Sequence, residues 1–248
     1  SMGKAQSLDS KLLTPNGWIR MGDVKIGDKV GGSDGKFHNV VGVFPQGEKD
    51  MYKISFNDHT STECCNEHLW LTRTRNDRKL TKTRRMHNIG TVKTTKEIAD
   101  SLTVPSGKNM QRLNHSVAYC SPIEFESKDL PLSPYLLGAL IADGSLVNAI
   151  KFYNSENDVV EKIKNLLPES DLLHFTGEDN ITYRIKRQKR NNQPSQTKTI
   201  LMSCGLVGKH SFDKFIPEIY KFGSVQQRTE ILQGLMDTDG YIDKDGYI

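Results

Sequence analysis

The sequence predicts a mainly β unit followed by an α/β unit in which two helices, each ending in an aspartate, pack over a sheet. Three observations predict this. Residues 7–72 hold short runs of Val, Ile, Phe and Tyr between turn signals, which is typical of hairpins. Residues 113–248 alternate helical and strand patterns. Two matched segments in this second part, 136–144 and 232–240, both end in Asp-Gly.

Composition limits the classes of protein that need consideration. Hydrophobic residues make up 35% and charged residues 26% of the 248 residues, as in ordinary globular proteins. No run approaches the roughly 18 apolar residues that a membrane span requires, and the first residues lack an apolar signal core. The cysteines are too few and too scattered for a disulfide framework. We therefore expect a reducing, intracellular (cytoplasmic) protein without a membrane partner.

Five candidate strands follow one another in the first unit. They lie at residues 12–13, 26–30, 37–44, 51–56 and 68–71. Clusters of Gly, Pro, Asn and Asp between them favour tight turns. No segment here is amphipathic over the length of a helix, so an all-β module with many hairpins is expected.

A basic segment, residues 73–112, separates the two units. Nine lysines and arginines lie between Arg73 and Lys96, against Asp77 alone. Two interpretations stay open: a solvated loop, or a patch that faces DNA phosphates, since bound cations release counterions from DNA. On the second interpretation the DNA contacts include Arg73, Arg75, Arg78, Lys79, Arg84 and Arg85. A short helix is expected to open at residues 94–98 and to run to about Leu102.

Helices begin at two recognisable signals in the second unit. Ser133-Pro134 starts a helix that stops at Gly144, because proline favours the first helical position. Residues 155–158 cap another helix that runs to about Leu167.

Residues 181–187 alternate strictly, as a half-buried strand does. One face carries Ile181, Tyr183 and Ile185, and the other carries Thr182, Arg184 and Lys186. A sheet with one apolar and one cationic face suits a DNA-binding saddle, with Arg184 and Lys186 toward the DNA. An ordinary amphipathic strand is the alternative.

The two matched segments predict a close pair of helices. Each has a glycine followed four residues later by a small residue, Ala142 in one copy and Thr238 in the other, and this spacing lets two backbones approach closely. Asp143 and Asp239 then lie in the last turns, where the helix dipole disfavours a carboxylate. Two such acids side by side favour a divalent cation, and Mg²⁺ suits oxygen ligands and phosphodiester chemistry.

These segments resemble the two signature motifs of LAGLIDADG homing endonucleases, and residues 129–135 and 214–217 resemble their flanks. The resemblance implies that Asp143 and Asp239 are catalytic, metal-binding acids. Lys214, or alternatively Lys209, would be the basic residue near the cleavage site. The implied reaction is Mg²⁺-dependent double-strand cleavage at a long DNA recognition sequence.

The first unit resembles the horseshoe-like Hint fold of inteins and hedgehog autoprocessing domains. Residues 9–17, 22–30 and 65–72 carry the resemblance, the last of them with Cys65 in the Thr position of a Thr-x-x-His pattern. The resemblance implies that His68 protonates the departing amide nitrogen during splicing, which needs no cofactor. A zinc site built on Cys64, Cys65 and His68 stays open as an alternative.

Counting back five positions from Ser10 places the splicing nucleophile of the family at Ala5. Alanine cannot attack a carbonyl, so a Cys or Ser replaced by Ala is expected, and with it a splicing-inactive chain. Ser7 is the alternative nucleophile. Residues 1–4 would be a tag or a remnant of the host protein, and Gly3-Lys4 hints at insertion into the phosphate-binding loop of an ATPase.

The sequence ends before the His-Asn pair with which the family completes splicing. We therefore expect a complementary C-terminal intein segment as partner, host-protein exteins, and double-stranded DNA of the host gene without the insertion. The expected divisions are residues 1–4, a splicing domain at 5–72, a basic linker at 73–112, and an endonuclease domain at 113–248 that is truncated in its second half. The alternative is a stand-alone LAGLIDADG-type DNA-binding module on a Hint-like scaffold without self-cleavage.

Overall fold

The computed structural model describes residues 5–84, 90–108, 110–177, 179–189 and 193–240, with the side chains of residues 80–84 outside this description. The chain divides into two compact units, Ser1–Ile123 and Glu124–Ile248. The basic segment 73–112 therefore belongs to the first unit. No helix in the described part of the chain is long and apolar enough to cross a membrane.

The first unit consists of short antiparallel strands and two helices. In chain order they are β1 (Lys11–Thr14), β2 (Gly17–Arg20), β3 (Lys29–Gly31), β4 (Phe37–Asn39), β5 (Met51–Ser55), β6 (Ser61–Cys65), β7 (Leu69–Thr74), α1 (Arg75–Arg84), β8 (Thr91–Thr94), α2 (Thr95–Asp100), β9 (Thr103–Pro105), β10 (Gln111–Leu113) and β11 (His115–Val117). β1 pairs with β2, β3 with β4, β5 with β6 and β9 with β10, and a three-stranded sheet has the order β11-β7-β8.

The predicted strands differ from the observed ones in length and number. The strands expected at 12–13, 51–56 and 68–71 are present as β1, β5 and β7, whereas the one expected at 37–44 ends at Asn39. The strand expected at 26–30 begins only at Lys29, because Asp28 accepts a hydrogen bond from the Lys25 amide (2.7 Å) and closes a turn there. β2 and β6 were missed.

Part of the basic segment is a helix, so the loop interpretation is wrong for residues 75–84. The helix α1 starts where Asp77 accepts hydrogen bonds from the amide and the hydroxyl of Thr74, at 2.8 and 2.7 Å. The helix expected to open at residues 94–98 is confirmed as α2, although it ends at Asp100 rather than near Leu102. Thr94 and Glu97 form a reciprocal capping box at its start.

The second unit packs helices on one four-stranded antiparallel sheet. Its elements are α3 (Pro134–Asp143), β12 (Gly144–Ser145), β13 (Lys151–Tyr153), α4 (Asn157–Leu166), β14 (Asp171–Phe175), β15 (Thr182–Arg187), α5 (Gln196–Ser203), α6 (Glu218–Lys221) and α7 (Val225–Asp239). The sheet has the order β12-β13-β15-β14. The start of α3 at Ser133-Pro134 and the position of α4 match the sequence prediction, but the N-cap residue of α4, Glu156, makes no side-chain capping bond.

The apolar core of this unit lies between α3, the sheet and the helices α4 to α7. Leu136, Leu140, Phe152 and Leu201 are fully buried there. The core holds α3 in place, and α3 in turn presents Asp143 at its end.

The strand β15 follows the predicted alternation only in its middle, where Ile185 is buried and Arg184 is exposed. At its start the prediction is wrong, since Thr182 is buried and Ile181 is 40% exposed. The reason is a turn in which Asp179 accepts hydrogen bonds from the Thr182 amide and hydroxyl, both at 2.6 Å.

Candidate active sites

The start of the described chain pairs with the strand β6. The Cys65 amide donates a hydrogen bond to the Ala5 carbonyl (3.0 Å), and Gln6 forms an antiparallel bridge with Cys64. Residues 5 and 6 therefore lie alongside β6 and extend the β5–β6 hairpin by an isolated bridge. Ser7, the alternative nucleophile, lies beyond this pairing in a turn, where its hydroxyl accepts from the Asp9 amide at 3.3 Å.

His68 follows β6 after one tight turn. Its amide donates to the Cys65 carbonyl (3.1 Å), and its own carbonyl accepts from the Thr95 amide (2.9 Å). The half-buried imidazole stands edge-on to Trp70, with ring centroids 5.1 Å apart. The backbone of His68 is thus fixed on both sides, one turn from the residue that pairs with Ala5.

The adjacent cysteines are both completely buried. Burial raises the pKa of the Cys64 thiol, which also lies 3.2 Å from the hydroxyl of Thr95. A thiol that stays protonated is a poor zinc ligand, because zinc binds the thiolate. Within the described residues, no three His, Cys, Asp or Glu side chains form a group that could hold a metal ion.

In the second unit, α3 and α7 meet at two glycines. A Cβ atom on Gly138 would stand 2.3 Å from the Ile231 carbonyl oxygen, and one on Gly234 would stand 2.2 Å from that of Tyr135. The two glycines are 96 positions apart in the sequence, and so are Tyr135 and Ile231. Each glycine therefore contacts the same position of the other helix. We call this contact between α3 and α7 the glycine seam, and its reciprocity is what a local two-fold relation between the helices produces.

Asp143, Asp239 and Lys214 share one electrostatic environment. Burial raises the pKa of Asp143, and the carboxylate of Asp239 raises it further, while Lys214 opposes this. Burial lowers the pKa of Lys214, whereas both carboxylates act to raise it. The three charged groups predicted from the sequence therefore lie close enough to influence one another.

Two neighbours fix the geometry of these groups. The Lys214 ammonium donates to the carbonyls of Ile141 (2.8 Å) and Gly144 (2.6 Å) and so covers the C-terminal end of α3. Asn154 makes a side-chain hydrogen bond to Asp143, and its own amide oxygen accepts from the Glu156 amide (2.8 Å). Because a carboxylate only accepts hydrogen bonds, the Asn154 amino group is the donor to Asp143.

An open cavity of about 280 Å³ lies beside these groups, lined among others by Asp143, Ser145, Tyr153, Lys209 and Lys214. The alternative basic residue, Lys209, thus lies at the same cavity as Lys214. Sequence reasoning missed Asn154, although its place three residues before the start of α4 is a position where Asn commonly bonds the backbone.

Predicted DNA-contacting cations fall into two groups, one in each unit. Arg75, Arg78 and Lys79 line an open cavity of about 450 Å³ together with Arg112, which the sequence did not single out. The Arg78 guanidinium donates to the Arg73 carbonyl (2.9 Å), and Arg73 lies in β7. Arg84 ends α1, and Arg85 lies outside the described residues.

In the second unit, Arg184 and Lys186 line a cavity of about 470 Å³. Three further cations, Arg187, Lys189 and Lys198, share it and were not predicted. The signal for the first two was present, since they continue the basic run of β15, whereas Lys198 comes from α5 and is brought in by the fold.

Comparisons with known proteins add a second line of observation. The chain is 31% identical over 256 residues to a replicative DNA helicase DnaB of Mycobacterium intracellulare, a match that covers 100% of this chain and 39% of that protein. A replicative DNA helicase DnaB of Mycobacterium leprae (strain TN) is 38% identical over 72 residues, 29% of this chain and 12% of that protein. The chain therefore spans well under half of the curated relatives that it matches. No family model matches it.

Among solved structures, the chain is similar to two inteins. The gp41-1 intein is 23% identical, with 49% of this chain and 83% of that chain covered and a TM-score of 0.31. The MchDnaB-1 intein is 26% identical, with 47% and 78% covered and a TM-score of 0.29. These TM-scores are too low to establish a shared fold, so the architecture described above rests on its own elements.

Proposed function

We propose that the chain is an intein whose first unit carries out the N-terminal acyl shift of protein splicing. The observation that carries this proposal is the pairing of Ala5 with Cys65, one turn before His68. It places residue 5 alongside β6, one tight turn before the histidine of the Thr-x-x-His-like pattern.

The chemistry follows from this arrangement. With cysteine at position 5, the sulfur would attack the carbonyl carbon of the preceding residue, a sulfur–carbon bond would form and the carbon–nitrogen bond would break. The thiol proton passes to solvent water, and the His68 imidazolium delivers a proton to the departing amide nitrogen. Because one chain holds both groups, the reaction is intramolecular. A complementary C-terminal intein segment would then supply transesterification and Asn cyclisation.

Ala5 has no nucleophile, so this chain is expected to be inactive in splicing. Similarity along the whole chain to a replicative helicase, of which it covers 39%, supports a helicase as the host protein that supplies the exteins. That host fits the Gly3-Lys4 pair before Ala5, since a helicase is driven by nucleotide hydrolysis and needs a phosphate-binding loop.

The test restores the nucleophile. A reporter protein is fused before Ala5→Cys, and thiol-induced release of the reporter is followed by mass spectrometry. We expect release with Ala5→Cys, none with Ala5, and a loss of about a hundredfold or more with Ala5→Cys combined with His68→Ala. His38→Ala, at an exposed histidine of the same unit, is the matched control. Equal release with and without His68 would refute its assigned role.

For the second unit we propose a Mg²⁺-dependent DNA endonuclease as a further function. The supporting observation is the group of Asp143, Asp239 and Lys214 at the glycine seam. Two carboxylates fit Mg²⁺, which takes one or two carboxylates and completes its shell with water and phosphate oxygens. Asp143 and Asp239 would hold the ion, which when bound would polarise the scissile phosphate.

This chain's own residues would orient that site. Asn154 holds the Asp143 carboxylate, and Lys214 places a positive charge at the cavity where a phosphate would enter. The Arg184 and Lys186 side chains line a separate basic cavity on the same unit and would contact the DNA backbone.

Cleavage of DNA that carries the uninterrupted helicase gene site tests this function. The chain and its C-terminal complement are incubated with the DNA and Mg²⁺, and then with EDTA. We expect cutting that Asp143→Asn abolishes and that Asp158→Asn, an acid in the first turn of α4, preserves. Binding without cutting would instead favour the stand-alone DNA-binding module, and cutting by Asp143→Asn would refute the assignment of that acid.

A further inference from the structure

A threonine at the start of α2 joins the elements around His68. Thr95 is completely buried, although its side chain is polar. The helix α2 lies on the turn between β6 and β7, where the Thr95 amide donates to the His68 carbonyl (2.9 Å) and the Lys96 amide to the Asn66 carbonyl (3.0 Å). Buried hydroxyl groups require hydrogen-bond partners, so the partners of Thr95 define what it holds.

The hydroxyl of Thr95 has three neighbours. The Trp70 indole N–H donates to it at 3.0 Å, the Cys64 sulfur lies 3.2 Å away, and the His68 carbonyl oxygen lies 3.4 Å away. A hydroxyl has one proton and two lone pairs. If the Cys64 thiol donates, the hydroxyl accepts from Trp70 and Cys64 and donates to His68, and every capacity is used. Burial keeps the Cys64 thiol protonated by raising its pKa, as this assignment requires.

The residues that bond to the Thr95 hydroxyl are part of the proposed splicing site or contact it. Cys64 is the residue that bridges Gln6, so it stands opposite the chain start. Trp70 is the ring against which the His68 imidazole stands edge-on, at 5.1 Å and 61° between the ring planes. The indole has a single N–H, and its bond to Thr95 therefore fixes how the tryptophan ring, and with it the imidazole, is turned.

We propose that Thr95 is a positioning residue that sets the orientation of the His68 imidazole relative to the peptide bond before residue 5. The role in splicing rests on the proposed function, whereas the orientation of the ring does not. Thr95 acts through Trp70 and the His68 backbone and has no direct part in the bond changes.

The test uses the full chain and three substitutions. Thr95→Val keeps the shape and removes the hydroxyl, Thr95→Ser keeps the hydroxyl, and Trp70→Phe keeps a ring but removes the N–H donor. Thr91→Val, at an exposed threonine of β8, is the matched control. The readout is the NMR titration of the His68 ring protons, assigned by their loss in His68→Ala, with those of His38 and His210 as internal references.

We expect Thr95→Val and Trp70→Phe to shift the His68 signals and its titration midpoint, and Thr95→Ser and Thr91→Val to leave both in place. Two variants that remove the same bond should also shift the signals less than additively when combined. If Thr95→Val fails to fold, Trp70→Phe decides. His68 signals that stay unchanged in a folded Thr95→Val or Trp70→Phe protein would overturn the proposal.

Reporter release in the Ala5→Cys background separates this inference from the proposed function. We expect release to slow about tenfold or more in Thr95→Val, with a changed pH profile, and to be restored in Thr95→Ser. If the parent Ala5→Cys protein released no reporter, only the proposed splicing function would be contradicted. The NMR result would still decide whether Thr95 orients the His68 ring. Unchanged release in Thr95→Val beside a parent that releases normally would overturn the positioning role.

Discussion

Each of the two units is stabilised internally by a different kind of interaction. The second unit buries leucines, isoleucines and aromatic rings in one continuous cluster. Among the described residues of the first unit, the buried side chains are instead Cys64, Cys65 and Ile123 together with threonines and an asparagine, while Val41 and Phe44 are 90% and 78% exposed. Apolar burial supplies most folding free energy, whereas hydrogen-bonded hydroxyls contribute little net energy but fix direction.

The difference teaches where each unit gains its precision. In the second unit, a packed core brings α3 and α7 so close that only glycine fits between them. This close packing places Asp143 and Asp239, at the ends of the two helices, near each other. In the first unit, hydroxyl networks around Thr72 and Thr95 hold short strands and a histidine ring in place. Substitutions should therefore act through packing in one unit and through orientation in the other.

Two phenylalanines give the largest expected contrast. Phe152 is completely buried in the core of the second unit, and Phe44 is exposed in the first. Phe152→Ala should lower the free energy of unfolding by about 3–5 kcal/mol, because it leaves a cavity. Phe44→Ala should change it by less than about 0.5 kcal/mol. Urea denaturation measures both, and similar losses would contradict the contrast.

Gly138→Ala tests the glycine seam. The added methyl group would meet the Ile231 carbonyl oxygen at 2.3 Å, so the two helices must separate. We expect a loss of about 1–3 kcal/mol in unfolding free energy, measured by thermal and urea denaturation. Gly47→Ala, where the added methyl group has no atom within 4 Å, isolates the backbone cost, since Gly47 has φ +70°. A Gly138→Ala protein more stable than Gly47→Ala would show that the seam is loose.

Asp143→Asn should stabilise the second unit in metal-free buffer near neutral pH. The substitution removes a carboxylate from the negative end of α3 and from the neighbourhood of Asp239, and we expect a gain of about 0.3–1 kcal/mol. Asp158→Asn, at the positive end of α4, should lose a similar amount. Thermal melting in EDTA measures both signs, and a destabilised Asp143→Asn protein would contradict the repulsion.

His115 should make the first unit sensitive to acid. Burial, assisted by the charges of Lys93 and Arg78, lowers its pKa from the ordinary value of 6.5, while Ser101 and Asp77 oppose this. The unfolded chain therefore binds the proton more readily, and stability that is complete above about pH 6.5 declines as the pH falls toward the lower folded value. His115→Gln should flatten this decline. An unchanged slope in melts between pH 7 and 5 would refute it.

Sequence patterns predicted the parts of the fold that depend on local signals. Proline at position 134, the capping box of α2 and the matched glycines can each be recognised from a few neighbouring positions in the sequence. Sequence patterns failed where one side chain accepts a hydrogen bond from the backbone of a nearby residue. Asp77 does this at the start of α1, and Asp179 does it at Thr182. β6 was missed because Ser61–Cys65 has few apolar residues and owes its form to pairing with β5.

The candidate sites show the same division. Asp143, Asp239, Lys214 and His68 could be predicted as site residues because their motifs are contiguous in the sequence, and their roles stay predictions. Thr95 and Asn154 were missed, since each matters through a contact with a residue elsewhere in the chain: His68 for Thr95 and Asp143 for Asn154. Contacts between residues that are distant in the sequence and meet only on folding leave no motif or periodic pattern in the sequence.

The bond between Ala5 and Cys65 involves only main-chain atoms. Another amino acid at position 5 can therefore make the same hydrogen bond to Cys65. Exchanging the side chain at position 5 changes its reactivity without removing this bond. Under the proposed splicing function, an alanine there would preserve the arrangement before the first chemical step, and the chain would suit the capture of an uncleaved junction for direct observation.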